Sequence, residues 1–251
     1  MTLSPHAVIC LHSGGFTSRQ WKRLATDLST THRVLTPDLI GYGSEPWPTG
    51  VPFHYQQDID AIAALVRAEG APPHLVGHSY GGFLAAHVAR AQSVRSVALY
   101  EPVTFSMLER ERDADAFAGL SLSSVWTPDA SGVDEAWLAS FVDWWNGPGA
   151  WTVMPAPTRA AFKAVGWKVF EEVRTLVTDD TGPAGFATIR APLLVMGGSQ
   201  SPLPERRVVE RLAAVVPHGT LRIFEGAGHM GPITHAPLVN QEIAAHVRAN
   251  D

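Results

Sequence analysis

The sequence predicts an α/β fold: a mostly parallel sheet of about six strands, flanked by helices and interrupted once by an all-helical stretch. Three observations carry this expectation. Short apolar runs alternate along the chain with segments of helical periodicity. The stretch Pro73-His74-Leu75-Val76-Gly77-His78-Ser79-Tyr80-Gly81 passes from an apolar run into helical composition through a serine set between glycines. Between about residues 103 and 190 no convincing strand occurs, yet six of the eight tryptophans (126, 137, 144, 145, 151 and 167) fall there.

In chain order, residues 6–11 form the first apolar run and end in His12-Ser13-Gly14-Gly15. Ser18 is placed to cap a helix carrying Trp21, Leu24, Ala25 and Leu28 on one face. Arg33–Thr36 reads as a second strand, followed by Pro37-Asp38-Leu39-Ile40-Gly41-Tyr42-Gly43. A helix near 55–69 groups Ile59, Ile62, Ala63 and Val66 and stops at Gly70. Residues 73–76 are the third strand and 82–89 the helix after it. Val94–Tyr100 is the fourth strand, ending at Glu101-Pro102. The interval that follows reads as helices over 106–120, 134–146 and 158–178. Pro192–Met196 is the fifth strand, 204–215 a helix, Leu221–Phe224 the sixth strand, and a last helix runs from about Pro237. No internal repeat is visible.

At 251 residues the chain has ample length for a sizeable core. It is 45% hydrophobic and 17% charged, and its net charge of -5 argues against nucleic-acid binding. The first residues show no basic segment or long apolar run, and no stretch approaches a membrane span, so the expected location is cytoplasmic. The single cysteine, Cys10, lies in an apolar run and is expected to be a buried strand residue. Without paired cysteines, an H-E-x-x-H pattern or a G-x-G-x-x-G after a strand, neither a metal nor a dinucleotide cofactor is expected. The oligomeric state, monomer or homodimer, is open.

Gly77-His78-Ser79-Tyr80-Gly81 has the pattern G-x-S-x-G between strand and helix. A side chain at either glycine would crowd so sharp a turn. The turn lifts the Ser79 hydroxyl off the sheet and aims the first helical amides at charge forming beside it. Serine is a weak nucleophile and needs a base. His229, in Gly228-His229-Met230 after the last strand, is the best placed of eleven histidines, with His235 in reserve; His12 and His78 read as structural.

Taken together, these motifs resemble the α/β-hydrolase fold family, in particular its capped bacterial members. The resemblance covers the sheet segments, roughly two thirds of the chain, and includes the order Ser…His with the histidine near the C-terminus. It implies that residues 1–102 and 191–251 form the hydrolase core and 103–190 a helical cap. It also implies an oxyanion hole of the Tyr80 and Gly14 amides. Two departures stand out. Few residues precede the first strand, so the family's N-terminal hairpin is expected to be absent. The family's usual acid position reads Gly197-Gly198-Ser199-Gln200-Ser201-Pro202, without a carboxylate. Glu101 is the favoured replacement, because its strand lies beside the nucleophile strand in a doubly wound sheet. Glu205 and Asp38 stay open as alternatives, although Asp38 reads as a loop-organising residue. Asp179 and Asp180 read as solvated.

The expected chemistry is cofactor-free hydrolysis of an ester, lactone or thioester of an apolar small molecule, with Ser79 as nucleophile and His229 as base. Trp126, Trp144, Trp145 and Trp151 are the candidates for an apolar substrate pocket, the other tryptophans packing the cap. Carbon–carbon bond hydrolysis, lyase chemistry, cofactor-free perhydrolysis and a ligand sensor on the same scaffold remain alternatives, since fold does not fix function.

Overall fold

Alternation within each strand builds two cores, one on each face of the sheet. The computed structural model describes residues 3–121, 123, 125, 126 and 133–251. Strands β1 (Val8–Leu11), β2 (Val34–Leu35), β3 (His74–His78), β4 (Ser96–Tyr100), β5 (Leu193–Gly198) and β6 (Gly219–Phe224) form one sheet in the order β2-β1-β3-β4-β5-β6. Every neighbouring pair is parallel, with Val8 opposite both Val34 and His74. Ile9, Leu11, Leu75, Val97, Leu99, Leu193 and Val195 pack on one face. Val8, Cys10, Val76, Ala98, Leu194 and Met196 pack on the other. This is the two-sided burial that continuous apolar runs require.

Helices α1 (Lys22–Leu28), α2 (Tyr55–Ala68) and α3 (Tyr80–Ala91) follow the first three strands. Between β4 and β5 the described residues hold only helices: a 3-10 turn at Phe105–Met107, then α4 (Ala114–Ser121), α5 (Glu135–Asn146), α6 (Ala150–Val153), α7 (Ala156–Ala164), α8 (Gly166–Leu176) and α9 (Gly182–Phe186). Helices α10 (Leu203–Val215), α11 (Gly231–Thr234) and α12 (Ala236–Ala249) complete the chain. Among the described residues no strand precedes β1, and no helix is long and apolar enough to cross a membrane. The strand order reverses between β1 and β3, which opens a crevice where their carboxyl ends diverge. Both the His12–Gly15 loop and Ser79 leave the sheet there.

Four local expectations are corrected. Ser18 caps no helix: it begins a 3-10 turn, Ser18–Trp21, and its amide donates to Asp38 Oδ1 at 2.6 Å. The helix expected over 158–178 is two helices that meet at Val165, where Gly166 brings α8 against Leu138 of α5. The helix expected over 106–120 begins only at Ala114, because the Asp113 carboxylate accepts from Glu109 N at 3.0 Å and from Arg211 Nη2 at 2.6 Å. The Asp179 side chain is buried, not solvated, and accepts from Ser106 Oγ and Thr181 Oγ1, both at 2.6 Å.

Helix α3 meets β1 closely at one point. A methyl group on Gly81 would lie 2.4 Å from Leu11 O and 2.5 Å from His12 O, both rigid backbone atoms. Gly81→Ala should therefore lower stability by about 2–3 kcal/mol. The urea midpoint would show it, and an unchanged midpoint would mean that helix and strand are free to part.

Candidate active site

Ser79 stands at the junction of β3 and α3 with φ 54° and ψ -121°, a backbone conformation that side chains rarely adopt. Its amide donates to Tyr100 O at 2.9 Å, which ties the turn to β4. Tyr80 opens α3, so its amide precedes the first helical hydrogen bond, Phe83 N to Ser79 O at 2.9 Å. The other non-glycine residues with positive φ among the described residues are Glu101 (46°) and Val103 (45°), on either side of Pro102. Strain of about 1–3 kcal/mol per residue is thus concentrated where β3 and β4 leave the sheet.

The three side chains in question form a continuous chain. Ser79 Oγ lies 2.9 Å from His229 Nε2, and His229 Nδ1 lies 2.7 Å from Glu101 Oε2. All three residues are buried. Glu101 Oε1 accepts from Gly198 N at 2.7 Å and from Ser201 Oγ at 2.5 Å, so the end of β5 and the loop after it orient the carboxyl without supplying one. The His229 loop is held twice more: Tyr100 OH donates to Gly228 O at 2.8 Å, and His78 Nε2 lies 2.8 Å from His229 O. With Nδ1–H on Glu101, the His229 Nε2 lone pair faces the serine hydroxyl and can take its proton.

The other candidates lie elsewhere. Asp38 holds the amide of Ser18. Glu205 is buried and accepts from Val103 N at 3.3 Å; burial, then the charge of Glu101, pushes its carboxyl well above the usual carboxylate range. His235 precedes α12 and bonds Thr234 Oγ1 at 2.9 Å. Cys10 is fully buried, and burial pushes its thiol up to about 12, which removes it as a nucleophile. His12 accepts from Leu39 N at 3.0 Å and serves its loop.

Gln20 was not singled out by the sequence. Its Oε1 accepts from Ser13 N at 3.0 Å and its Nε2 reaches His78 Nδ1 at 3.1 Å. That amide therefore couples the Gly14 loop, through His78, to the backbone of His229. A second unforeseen group lies beyond Gly14. Lys168 Nζ is 2.7 Å from Glu172 Oε1 and 3.0 Å from Asp58 Oδ2, and it stands 3.7 Å from the centroid of Phe53. Tyr42 OH donates to Glu172 Oε2 at 2.8 Å and Tyr80 OH to Asp58 Oδ2 at 2.9 Å. Burial lifts the Glu172 carboxyl to about 7, against the opposing pull of Lys168. The Lys168/Glu172 spacing of four residues was a readable signal, since it puts both charges on the inner face of α8.

Residues 8–242 match the Alpha/beta hydrolase family. The chain belongs to this family. A curated relative, lipase LipV of Mycobacterium tuberculosis, is 36% identical over 101 residues, which is 39% of this chain and 38% of LipV. The chain thus aligns with well under half the length of that relative. Among solved structures, MenH from S. aureus superposes with a TM-score of 0.75 at 13% identity, covering 99% of this chain and 96% of that one. A meta-cleavage product hydrolase from Pseudomonas fluorescens gives a TM-score of 0.71 at 20% identity, covering 98% and 92%. These identities speak for the fold alone.

In this α/β hydrolase a cavity of about 800 Å³ opens beside Ser79 and His229, between the sheet edge and helices α5 to α8. Gly14, Tyr80, Trp126, Phe141, Trp145 and Phe162 are among its lining residues. Of the four tryptophans expected to meet substrate, Trp126 and Trp145 line it; Trp144 and Trp151 do not. Trp144 packs edge-on against Trp126 (4.9 Å) and Trp145 (4.5 Å). Trp151 turns toward Phe162 (6.3 Å) and lies under Arg159. Trp145 stacks on the His229 ring itself, with centroids 3.6 Å apart and planes 17° apart. Glu172 is the carboxyl of the cavity wall: a methyl group on Gly14 would lie 2.6 Å from its Oε2.

Glu101→Gln keeps the shape of the side chain but loses the charge that orients His229. Turnover of an activated ester should fall by about 10³ or more, about 4 kcal/mol in the barrier, with an unchanged circular dichroism spectrum. Near-wild-type turnover in this variant would remove Glu101 from the chemistry.

Proposed function

We propose that this chain is a serine hydrolase that cleaves esters, lactones or thioesters of apolar small molecules through an acyl-enzyme on Ser79. The unbroken chain from Ser79 Oγ through His229 to Glu101, at 2.9 and 2.7 Å, carries the reading. The two bonds order nucleophile, base and acid as acyl transfer requires. Ser79 Oγ attacks the acyl carbon while His229 Nε2 takes its proton. The oxyanion is received by the amides of Tyr80 and Gly14, the first pre-aimed by the strained turn. His229 then protonates the leaving alcohol or thiol, and the alkoxyl–acyl bond breaks. Water, deprotonated by His229, releases the acid and restores Ser79.

The stacked indole of Trp145 has two consequences for this cycle. It covers one face of the imidazole against water, and its π-face favours the imidazolium that forms during attack. The helical stretch 103–190 serves as the cap of a core made from 1–102 and 191–251. Its aromatic inner wall, with Trp126 and Trp145, sets the preference for an apolar acyl or alcohol group. Relatives that include a lipase fit an ester-cleaving role.

Labelling with a fluorophosphonate tests the assignment. Intact mass should rise by one adduct in the wild type and not at all in Ser79→Ala, while a p-nitrophenyl ester should give a burst of phenolate followed by steady turnover. Labelling that survives in Ser79→Ala would place the nucleophile elsewhere. Labelling without ester turnover would set acyl hydrolysis aside.

A further inference from the structure

At the end of the sheet opposite Ser79, three donors that the proposed chemistry does not use converge. His74 begins β3 and Ser79 follows its end, so roughly 13–16 Å of strand separates them. His32 precedes β2, and Asp251 follows α12. His32 and His74 are buried, at 2% and 0% exposure. Their Nε2 atoms lie 3.4 and 3.7 Å from one carboxylate oxygen, Asp251 Oδ1, and all three donor atoms fall within 4.8 Å of one another. Neither Nε2 has a hydrogen-bond partner.

Each ring is anchored through its other nitrogen. His32 Nδ1 lies 2.8 Å from Thr31 Oγ1, and that hydroxyl donates its one proton to Leu28 O at 3.3 Å. With Nδ1–H donating to that hydroxyl, Nε2 keeps a lone pair that faces Asp251. His74 Nδ1 lies 2.8 Å from Ser96 Oγ, and with Nδ1–H donating there its Nε2 keeps a lone pair as well. Fixing a ring through its other nitrogen is what oriented metal-ligating histidines require. In those tautomers two buried ring nitrogens without a hydrogen-bond partner face one carboxylate oxygen, an arrangement that a cation can bridge. The spacing is informative as well. Tetrahedral ligands about 2.0–2.1 Å from zinc are separated by about 3.3–3.4 Å, close to the two separations found here. The remaining contacts of Asp251 are compatible with that: Ser4 Oγ donates to Oδ1 at 2.5 Å and Arg95 Nη2 to the main-chain oxygen at 2.8 Å. The Asp251 side chain is 35% exposed and gives a path from solvent.

We propose that His32, His74 and Asp251 form a site for a divalent transition metal, Zn²⁺ by its two imidazoles and one carboxylate, that clasps the amino ends of β2 and β3 to the end of α12. Its position assigns it to stability rather than to catalysis. The sequence showed no such cluster because the three donors belong to separate elements that only the parallel sheet and the last helix bring together.

Protein dialysed against a chelator and then titrated with Zn²⁺ in a calorimeter tests the site. One equivalent should bind with a micromolar or tighter Kd, and saturating Zn²⁺ should raise Tm by several degrees. His32→Gln and Asp251→Asn should each weaken binding at least tenfold. Asp251→Asn changes a part-exposed residue, so it decides the matter if a buried-histidine variant fails to fold. Absence of stoichiometric binding, or an unchanged Kd in Asp251→Asn, would overturn the proposal.

Discussion

A carboxyl oxygen 2.7 Å from an imidazole nitrogen joins the end of β4 to the loop after β6, and the geometry of the site depends on it. Glu101 Oε2 meets the His229 ring at Nδ1 and so turns Nε2 toward Ser79, while Trp145 lies flat on the ring face. The Glu101 carboxyl is itself fixed by two donors, Gly198 N at the end of β5 and Ser201 Oγ in the loop after it. The end of β5 and the loop after it thus supply the groups that orient a carboxyl, while the carboxyl itself arrives from the neighbouring strand. Reaching the histidine from there takes an unusual backbone: Glu101 and Val103 both adopt positive φ around Pro102. The buried Glu205 accepts from Val103 N and so supports the second of these strained residues.

The lysine-centred cluster behind the cavity is a different kind of constraint. Burying Lys168 with Asp58 and Glu172 is costly, and well-packed apolar side chains of similar volume are often as stable or more so. What such groups supply is direction. Asp58 fixes the Tyr80 hydroxyl from α2, while Glu172 on α8 fixes Tyr42 and closes over Gly14. Tyr80, which follows Ser79, and the Tyr42 and Gly14 loops are thereby referred to one buried charge. Helix α8 belongs to the helical stretch, so the cluster also ties that stretch to the sheet.

What was legible in the sequence was local. The elbow at Ser79 is a pattern of adjacent residues, and the buried strands announce themselves as apolar runs, so the sheet follows within a residue or two at most boundaries. The contact of His229 with Glu101 was foreshadowed by the loop after the last strand and by the strand beside that of Ser79. The tryptophans were less legible because a helix face decides their direction. Leu138, Val142 and Trp145 are the buried residues of α5, spaced four and three apart, and that spacing turns Trp145 inward and Trp144 aside. Gln20, Lys168 and the His32/His74 pair lay beyond local reading, since each acquires its partners from distant elements.

The Nδ1 proton of His229 offers the most direct measurement of the central claim. It is buried beneath Trp145 and shared with a carboxylate, so it should exchange slowly and appear far downfield in the proton spectrum of the free enzyme. This resonance, assigned by its loss in His229→Gln, should be present in the wild type and absent in Glu101→Gln. A downfield His229 proton that persists in folded Glu101→Gln would show that a group other than Glu101 orients His229.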